Sequence, residues 1–89
     1  MPVLSMFLGI IVRMFYSDTA RHHKPHIHVS YQGQSAILEI PSGEVLAGII
    51  PDKKLKIVQV WIDLHQDELL ANWELAVNGE DLFKIEPLR

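Results

Sequence analysis

The amino-acid sequence predicts an α+β fold, with an antiparallel sheet of four or five strands followed by two C-terminal helices packed on one face. Residues 1–50 contain short runs rich in β-branched and aromatic residues, separated by turns with glycine and proline. After Pro51, apolar residues recur with a period of about 3.6 instead of about 2, which is the helical period. The 89 residues contain no repeat and no linker, and a chain of this length supports one core. We therefore predict a single domain over residues 1–89.

Short turns divide the β-rich part, residues 1–50, into strands. Gly9 and the Gln32-Gly33 pair supply the permissive backbone of tight hairpins, and Pro41-Ser42-Gly43 is typical of a turn. The last strand is expected to lie at an edge of the sheet or to be irregular around Gly48. The predicted strands cover Val3–Leu8, Ile10–Tyr16, His26–Tyr31, Gln34–Ile40 and Glu44–Ile50.

Residues 52–78 are predicted to form two helices. The first begins at Asp52, whose carboxylate is expected to cap it, and continues to about Leu64. Its apolar side is wider than the usual stripe of roughly 100°, which fits either a central core helix or a subunit contact. The second runs over Asp67–Asn78, is amphipathic, and ends at Asn78-Gly79 as a C-terminal cap pair would. Residues 79–89 are expected to form a tail that docks on the domain or on a neighbouring subunit.

The composition of the chain excludes several classes of protein and of functional site. The chain is 48% hydrophobic and 21% charged, as expected of a packed globular protein. It has no cysteine, so disulfides and thiolate sites are excluded, and a metal would need histidine and carboxylate ligands. The apolar run from Met1 to Tyr16 is shorter than the ~20 residues of a membrane span and lacks the features of a secretion signal. We expect a cytoplasmic protein with no membrane partner.

Charge is unevenly distributed along the chain. The net charge is −3, but residues 1–38 contain three Lys or Arg and one acid, a balance of +2, whereas residues 39–89 contain five bases and ten acids, a balance of −5. Positive potential is therefore expected to gather on the N-terminal part. This basic patch is small, and by itself it would bind anions or RNA only weakly.

Four of the five histidines lie within residues 22–28, and imidazole is the side chain that binds metals and moves protons near neutral pH. Residues two apart in a strand share a face at a spacing of about 6.5–7 Å, so His26 and His28 can converge on one ion. The further ligands would be His22 or His23 on the preceding loop and Asp18 at its base. A divalent transition metal such as zinc, iron, nickel or manganese accepts these donors. The alternative is a histidine pair with a purely structural role.

A second interpretation is metal-free acid–base chemistry on RNA. One imidazole would remove the 2′-hydroxyl proton and another would protonate the leaving oxygen, while Arg13, Arg21 and Lys24 would hold the phosphate. The acidic net charge speaks against it, as does the scarcity of stacking aromatics, which are limited to Tyr16 and Tyr31.

A third interpretation is a non-enzymatic interaction module, either a homo-oligomer or half of a complex with a small protein partner. The high hydrophobic content and the broad apolar side of the first helix favour it. The two tryptophans, Trp61 and Trp73, are expected to anchor the helices in the core, and His65 to be a cap or hinge between them. Glu39 can reach the histidines if its strand adjoins theirs.

Several segments match one known family from end to end. They are Met1–Ile10, Pro25–Val29, Gly43–Gly48, Trp61–His65, Asp67–Leu70, Asn72–Ala76 and Lys84–Leu88. On these residues the chain resembles a bacterial family known as the domain of unknown function number forty-one sixty, whose most distinctive mark is proline-histidine-x-histidine, here Pro25-His26-Ile27-His28. The loop before this element is longer than in many members, with His22-His23-Lys24 where those members have one histidine and a first proline.

The resemblance implies a small cytoplasmic bacterial protein that is often encoded beside another short domain, in an arrangement like that of a toxin and its antitoxin. It implies no established activity. Together with the residue patterns, it favours an interaction component of such a pair whose functional surface centres on the histidines and the cations around them. Metal binding and histidine-dependent RNA hydrolysis are the alternatives, and RNA is retained as a partner.

Overall fold

A computed structural model describes residues 2–14 and 24–88, and it confirms the predicted α+β fold. Within these residues, five strands form one antiparallel sheet in the order of the sequence, and two helices follow. The strands are β1 (Val3–Phe7), β2 (Ile10–Arg13), β3 (His26–Tyr31), β4 (Gln34–Glu39) and β5 (Val45–Ile49), and the helices are α1 (Asp52–Leu64) and α2 (Gln66–Val77).

Two hairpins have the two-residue turns that the sequence predicts. Leu8 and Gly9 have φ angles of 52° and 80°, and Gln32 and Gly33 have φ angles of 44° and 81°. Two successive residues with positive φ match the right-handed twist of the flanking strands, so the chain reverses without splaying them. These turns set the antiparallel pairing of β1 with β2 and of β3 with β4.

One face of the sheet forms a core with helix α1. Val12, Val29 and Ala36 lie side by side across β2, β3 and β4, and all three are buried. Helix α1 covers this face, since the ring of Trp61 lies 5.4 Å from that of Phe7 in β1. At the start of α1, the Lys54 ammonium donates to the carbonyl oxygen of Leu8 in the first hairpin turn.

The ends of the helices correct one expectation. Asp52 does not cap α1, because the helix begins at Asp52 itself and Pro51 is the N-cap, whose carbonyl oxygen accepts from the amides of Lys54 and Leu55. The carboxylate of Asp52 still lies in the first turn, where it favours the positive end of the helix dipole. At the end of α2, the amides of Gly79 and Glu80 donate to carbonyl oxygens of the last turn, which is the Schellman arrangement.

The C-terminal tail packs along the outer edge of β1. The Ile85 amide donates to the Leu4 carbonyl oxygen at 2.8 Å, and the Trp61 indole donates to the Glu86 carbonyl oxygen at 2.9 Å. Asn72 of α2 is fully buried and holds the backbone of Phe83 through both its amide nitrogen and its oxygen. The tail therefore joins both helices to the sheet. In the described part of the chain, neither helix has the length and apolar character needed to cross a membrane.

Candidate functional site

Strand β3 brings His26 and His28 together. The strand alternates, with Ile27 and Val29 pointing into the core and the two histidines on the opposite side. Their ring centroids are 5.3 Å apart with an angle of 62° between the planes, an edge-on contact. The two imidazoles therefore form one structural unit rather than two isolated side chains.

The neighbouring strands place charged groups beside these rings. Arg13 of β2 lies opposite His28 in the register, and Glu39 of β4 lies opposite His26. Paired residues in an antiparallel sheet project from the same face, so Arg13 and His28 are cross-strand neighbours. The Arg13 guanidinium also donates to the Ser30 hydroxyl at 3.4 Å. The result is a polar cluster that consists of Arg13, His26, His28, Ser30 and Glu39.

His26 is oriented by its surroundings. Its side chain is fully buried, and its Nδ1 lies 2.8 Å from the carbonyl oxygen of Lys24. A carbonyl oxygen only accepts, so Nδ1 is the donor in this hydrogen bond. The indole of Trp73 in α2 lies 5.1 Å from the ring centroid of His26. A hydrogen bond of this kind on one ring nitrogen is the usual support of a histidine that ligates a metal with the other.

Glu39 closes the same end of the cluster with a fixed negative charge. Hydrogen bonds from the Ser42 hydroxyl and from the Lys24 ammonium, 3.1 Å from the carboxylate, lower the pKa of Glu39 from its ordinary value of 4.5. Because this pKa is lower in the folded than in the unfolded chain, the carboxylate stabilises the fold above pH 4.5. That contribution is lost as the pH falls through the lowered pKa.

The residues that the sequence analysis selected fall into two groups. Four of them are described, and the structure brings His26, His28 and Arg13 together, with Lys24 joined to them through Glu39. The other four, Asp18, Arg21, His22 and His23, lie outside the described residues. Within residues 2–14 and 24–88, no three His, Asp or Glu side chains are arranged to hold a metal ion.

Two contributions to the cluster were missed by the sequence analysis. The sequence predicts Trp73 as a core anchor, and the structure shows that its ring also contacts His26. The sequence predicts Ser42 as part of a turn, and the structure shows that its hydroxyl also donates to the Glu39 carboxylate. The first had no signal in the sequence, since a contact between residues so far apart in the chain depends on where α2 packs. The second had a weak signal, because a serine three residues from an acid in a turn is within hydrogen-bonding reach.

The face of the sheet opposite α1 carries the polar cluster among apolar residues. Strand register places its residues in two rows, so we define the open face as Met6, Ile11, Ser30, Ser35 and Ile49 in one row and Arg13, His28, Ile37 and Ala47 in the other. Met6 and Ile49, at the two ends of the first row, are 62% and 71% exposed. The described residues thus leave large apolar side chains on this face in contact with solvent.

A family model described as "Domain of unknown function (DUF4160)" matches residues 9–74. The chain belongs to the DUF4160 family. This match confirms the resemblance inferred from the sequence, and the matched segment of this DUF4160 chain includes the whole polar cluster and Trp73. No curated protein and no solved structure matches the chain at a significant level.

Proposed function

We propose that this DUF4160 protein is an interaction component of a toxin–antitoxin-like pair, and that it binds a small protein partner through the open face. The observation that carries this proposal is the exposure of Met6 and Ile49 at opposite ends of a row that crosses the whole sheet. Isolated apolar residues on a protein surface need no explanation, but Met6, Ile11, Ile37 and Ile49 share one face, and Met and Arg are residue types that contact surfaces favour.

The polar centre would give this contact its specificity. Arg13 and His28 are partly buried and pair with each other, and His28 also pairs with Ile37, while Ile11 lies two residues before Arg13 on the same face of β2. A partner that covers these apolar residues therefore also covers the guanidinium. A buried guanidinium costs free energy unless it is paired, and its planar donors match a carboxylate. We therefore expect the partner to present an Asp or Glu side chain, or backbone carbonyl oxygens, to Arg13, and apolar side chains to the sheet.

The test is complex formation with the product of the adjacent gene. We expect the two proteins to elute as one complex when they are expressed together. Its mass, measured by light scattering, should equal the sum of a whole number of copies of each chain. Met6→Lys and Arg13→Glu are expected to weaken this complex by at least about 10-fold, because each puts a charge or a reversed charge into the contact. Val77→Lys, at a 40% exposed position of α2, is the control for an added charge on the surface.

Two outcomes would contradict the proposal. The first is a mixture in which both proteins keep their separate masses at micromolar concentration. The second is a complex that tolerates Met6→Lys and Arg13→Glu as well as it tolerates Val77→Lys. A growth assay adds the functional part, because in such a pair one protein alone slows growth and its partner relieves the effect.

A second candidate function is the binding of a divalent transition metal such as zinc, and the hydrogen bond from His26 Nδ1 to the Lys24 carbonyl oxygen favours it. His26 is fully buried, which favours a metal over acid–base catalysis on RNA, because an RNA phosphate would need access to both imidazoles. His26 and His28 would supply two ligands, and His22, His23 or Asp18 are the candidates for the others.

Metal content separates this candidate from the first. We expect about one zinc per chain after incubation with zinc and removal of the excess, and its loss in His26→Ala and in His28→Ala. His65→Ala is the control, since this fifth histidine donates instead to Glu68 at the junction of the helices. A wild-type protein without bound zinc would contradict the candidate, and so would an equal loss in all three variants.

A further inference from the structure

The outward side of α1 has an apolar centre that no described element covers. Val58, Trp61 and Ile62 point into the core and are fully buried. Val60 and Leu64, on the other side, are 53% and 62% exposed, and Ile57 is partly exposed. Residues at a spacing of three, four and seven along a helix lie on one side, so Ile57, Val60 and Leu64 form a continuous stripe.

The charges beside this stripe are sorted by sign along the helix. Lys53 and Lys56 lie on the N-terminal side of Val60, and Asp63 lies on its C-terminal side, with Asp67 at the start of α2. Lys53, Lys56, Asp63 and Asp67 are all exposed. A helix with cations near one end of an apolar stripe and anions near the other is complementary to a copy of itself that runs in the opposite direction.

We propose that α1 pairs with α1 of a second copy of this chain, antiparallel, about a two-fold axis that passes next to Val60. In such a pair, each side of the stripe meets the same side of the partner helix, as in antiparallel coiled coils. Lys56 and Asp63 lie on one side and Ile57 and Leu64 on the other. Val60 therefore meets Val60, Ile57 meets Leu64 in both halves, and Lys56 meets Asp63 in both halves.

The alternative arrangement of the same helices is disfavoured by charge. A parallel pair would bring the lysines of both copies to one end and the aspartates to the other, with repulsion at each end and no ion pair. The antiparallel contact involves few residues, so its area is at the small end of specific interfaces and we expect a weak dimer. The surface is distinct from the open face, and the dimer neither requires nor excludes the partner proposed there.

The test is the oligomeric state as a function of concentration, measured by sedimentation. We expect a monomer–dimer equilibrium with a dissociation constant in the micromolar to millimolar range. Val60→Lys is expected to weaken the dimer by about 100-fold or more, because it places two ammonium groups at the axis. Lys56→Asp and Asp63→Lys, made singly, are expected to weaken it by about 3- to 30-fold, since each change removes two symmetric ion pairs.

The double variant Lys56→Asp with Asp63→Lys restores both pairs with the signs exchanged, and it is expected to recover the wild-type dissociation constant. This recovery requires that Lys56 of each chain lies against Asp63 of the other chain. Val77→Lys, at an exposed position of α2, is the control for added charge. A monomer at all concentrations would overturn the proposal. A dimer in which the double variant is as weak as the single ones would overturn it too.

Discussion

Replacing Gly48 with alanine is expected to destabilise the domain by about 2–4 kcal/mol, the range of a substitution that meets fixed backbone. Gly48 lies in β5 with a φ of +78°, and a Cβ atom built there would be 2.3 Å from the carbonyl oxygen of Ser35 and 2.9 Å from the Cα atom of Ala36. Both of these atoms belong to the backbone of β4, which is held by β3 on its other side. The clash cannot be relieved by a side-chain movement, so β5 has to separate from β4.

A second glycine isolates this steric cost from conformational strain. Gly79 has a φ of +72°, but a Cβ atom there would meet no atom within 4 Å. Gly79→Ala is therefore expected to lower the free energy of unfolding by only about 1–2 kcal/mol, the cost of the left-handed conformation for a residue with a Cβ atom. Urea unfolding of the two variants measures the difference. Equal losses of stability would show that β5 adapts to the added methyl group, contrary to the expectation.

Replacing Asn72 with alanine is expected to cost about 2–3 kcal/mol and to release the C-terminal tail. The side chain of Asn72 is fully buried, donates to the carbonyl oxygen of Phe83 at 3.0 Å and accepts from the amide of Phe83 at 2.9 Å. Alanine removes both hydrogen bonds and leaves the carbonyl oxygen and the amide of Phe83 without a partner at a partly buried position. Each group left unpaired in this way costs about 1–3 kcal/mol when water cannot replace the partner.

The effect of this change on the tail is measurable separately from the overall stability. We expect hydrogen exchange at the Ile85 amide, which donates to Leu4, to become faster in Asn72→Ala than the loss of global stability alone explains. Gln66→Ala is the control on the same helix, since the Gln66 side-chain amide donates to the exposed Asp63 carboxylate. A tail that keeps its protection in Asn72→Ala would contradict the role given to Asn72.

Much of the fold follows from local patterns in the sequence. The alternation in β3 and the glycine-containing turns predict the hairpins, because side-chain direction in a strand has a period of two and two-residue turns need positive φ. The change to a helical period after Pro51 predicts both helices. The predicted cap of α1 was wrong. An aspartate just after a proline can be either the N-cap or the first residue of the helix. Only the hydrogen bonds to the Pro51 carbonyl oxygen separate the two.

The polar cluster could be predicted only in part. Alternation predicts that His26 and His28 share a face, and the short connection between β3 and β4 predicts that Glu39 lies near them. The burial of His26 could not be predicted, because it depends on Trp73, whose position is set by the packing of α2 and of the tail. The tautomer of His26 depends on the backbone path at Lys24, which residue types alone do not determine.

Methyl NMR during titration with the product of the adjacent gene tests most directly whether the open face binds the partner. The chain has methyl groups on both sides, with Met6, Ile11, Ile37 and Ile49 on the open face and Val60, Leu64 and Val77 exposed on the helices. We expect the first group to shift or broaden as the partner is added, and the second group to remain unchanged at concentrations below those of self-association. Changes confined to the methyl groups of the helices would contradict the proposed binding surface.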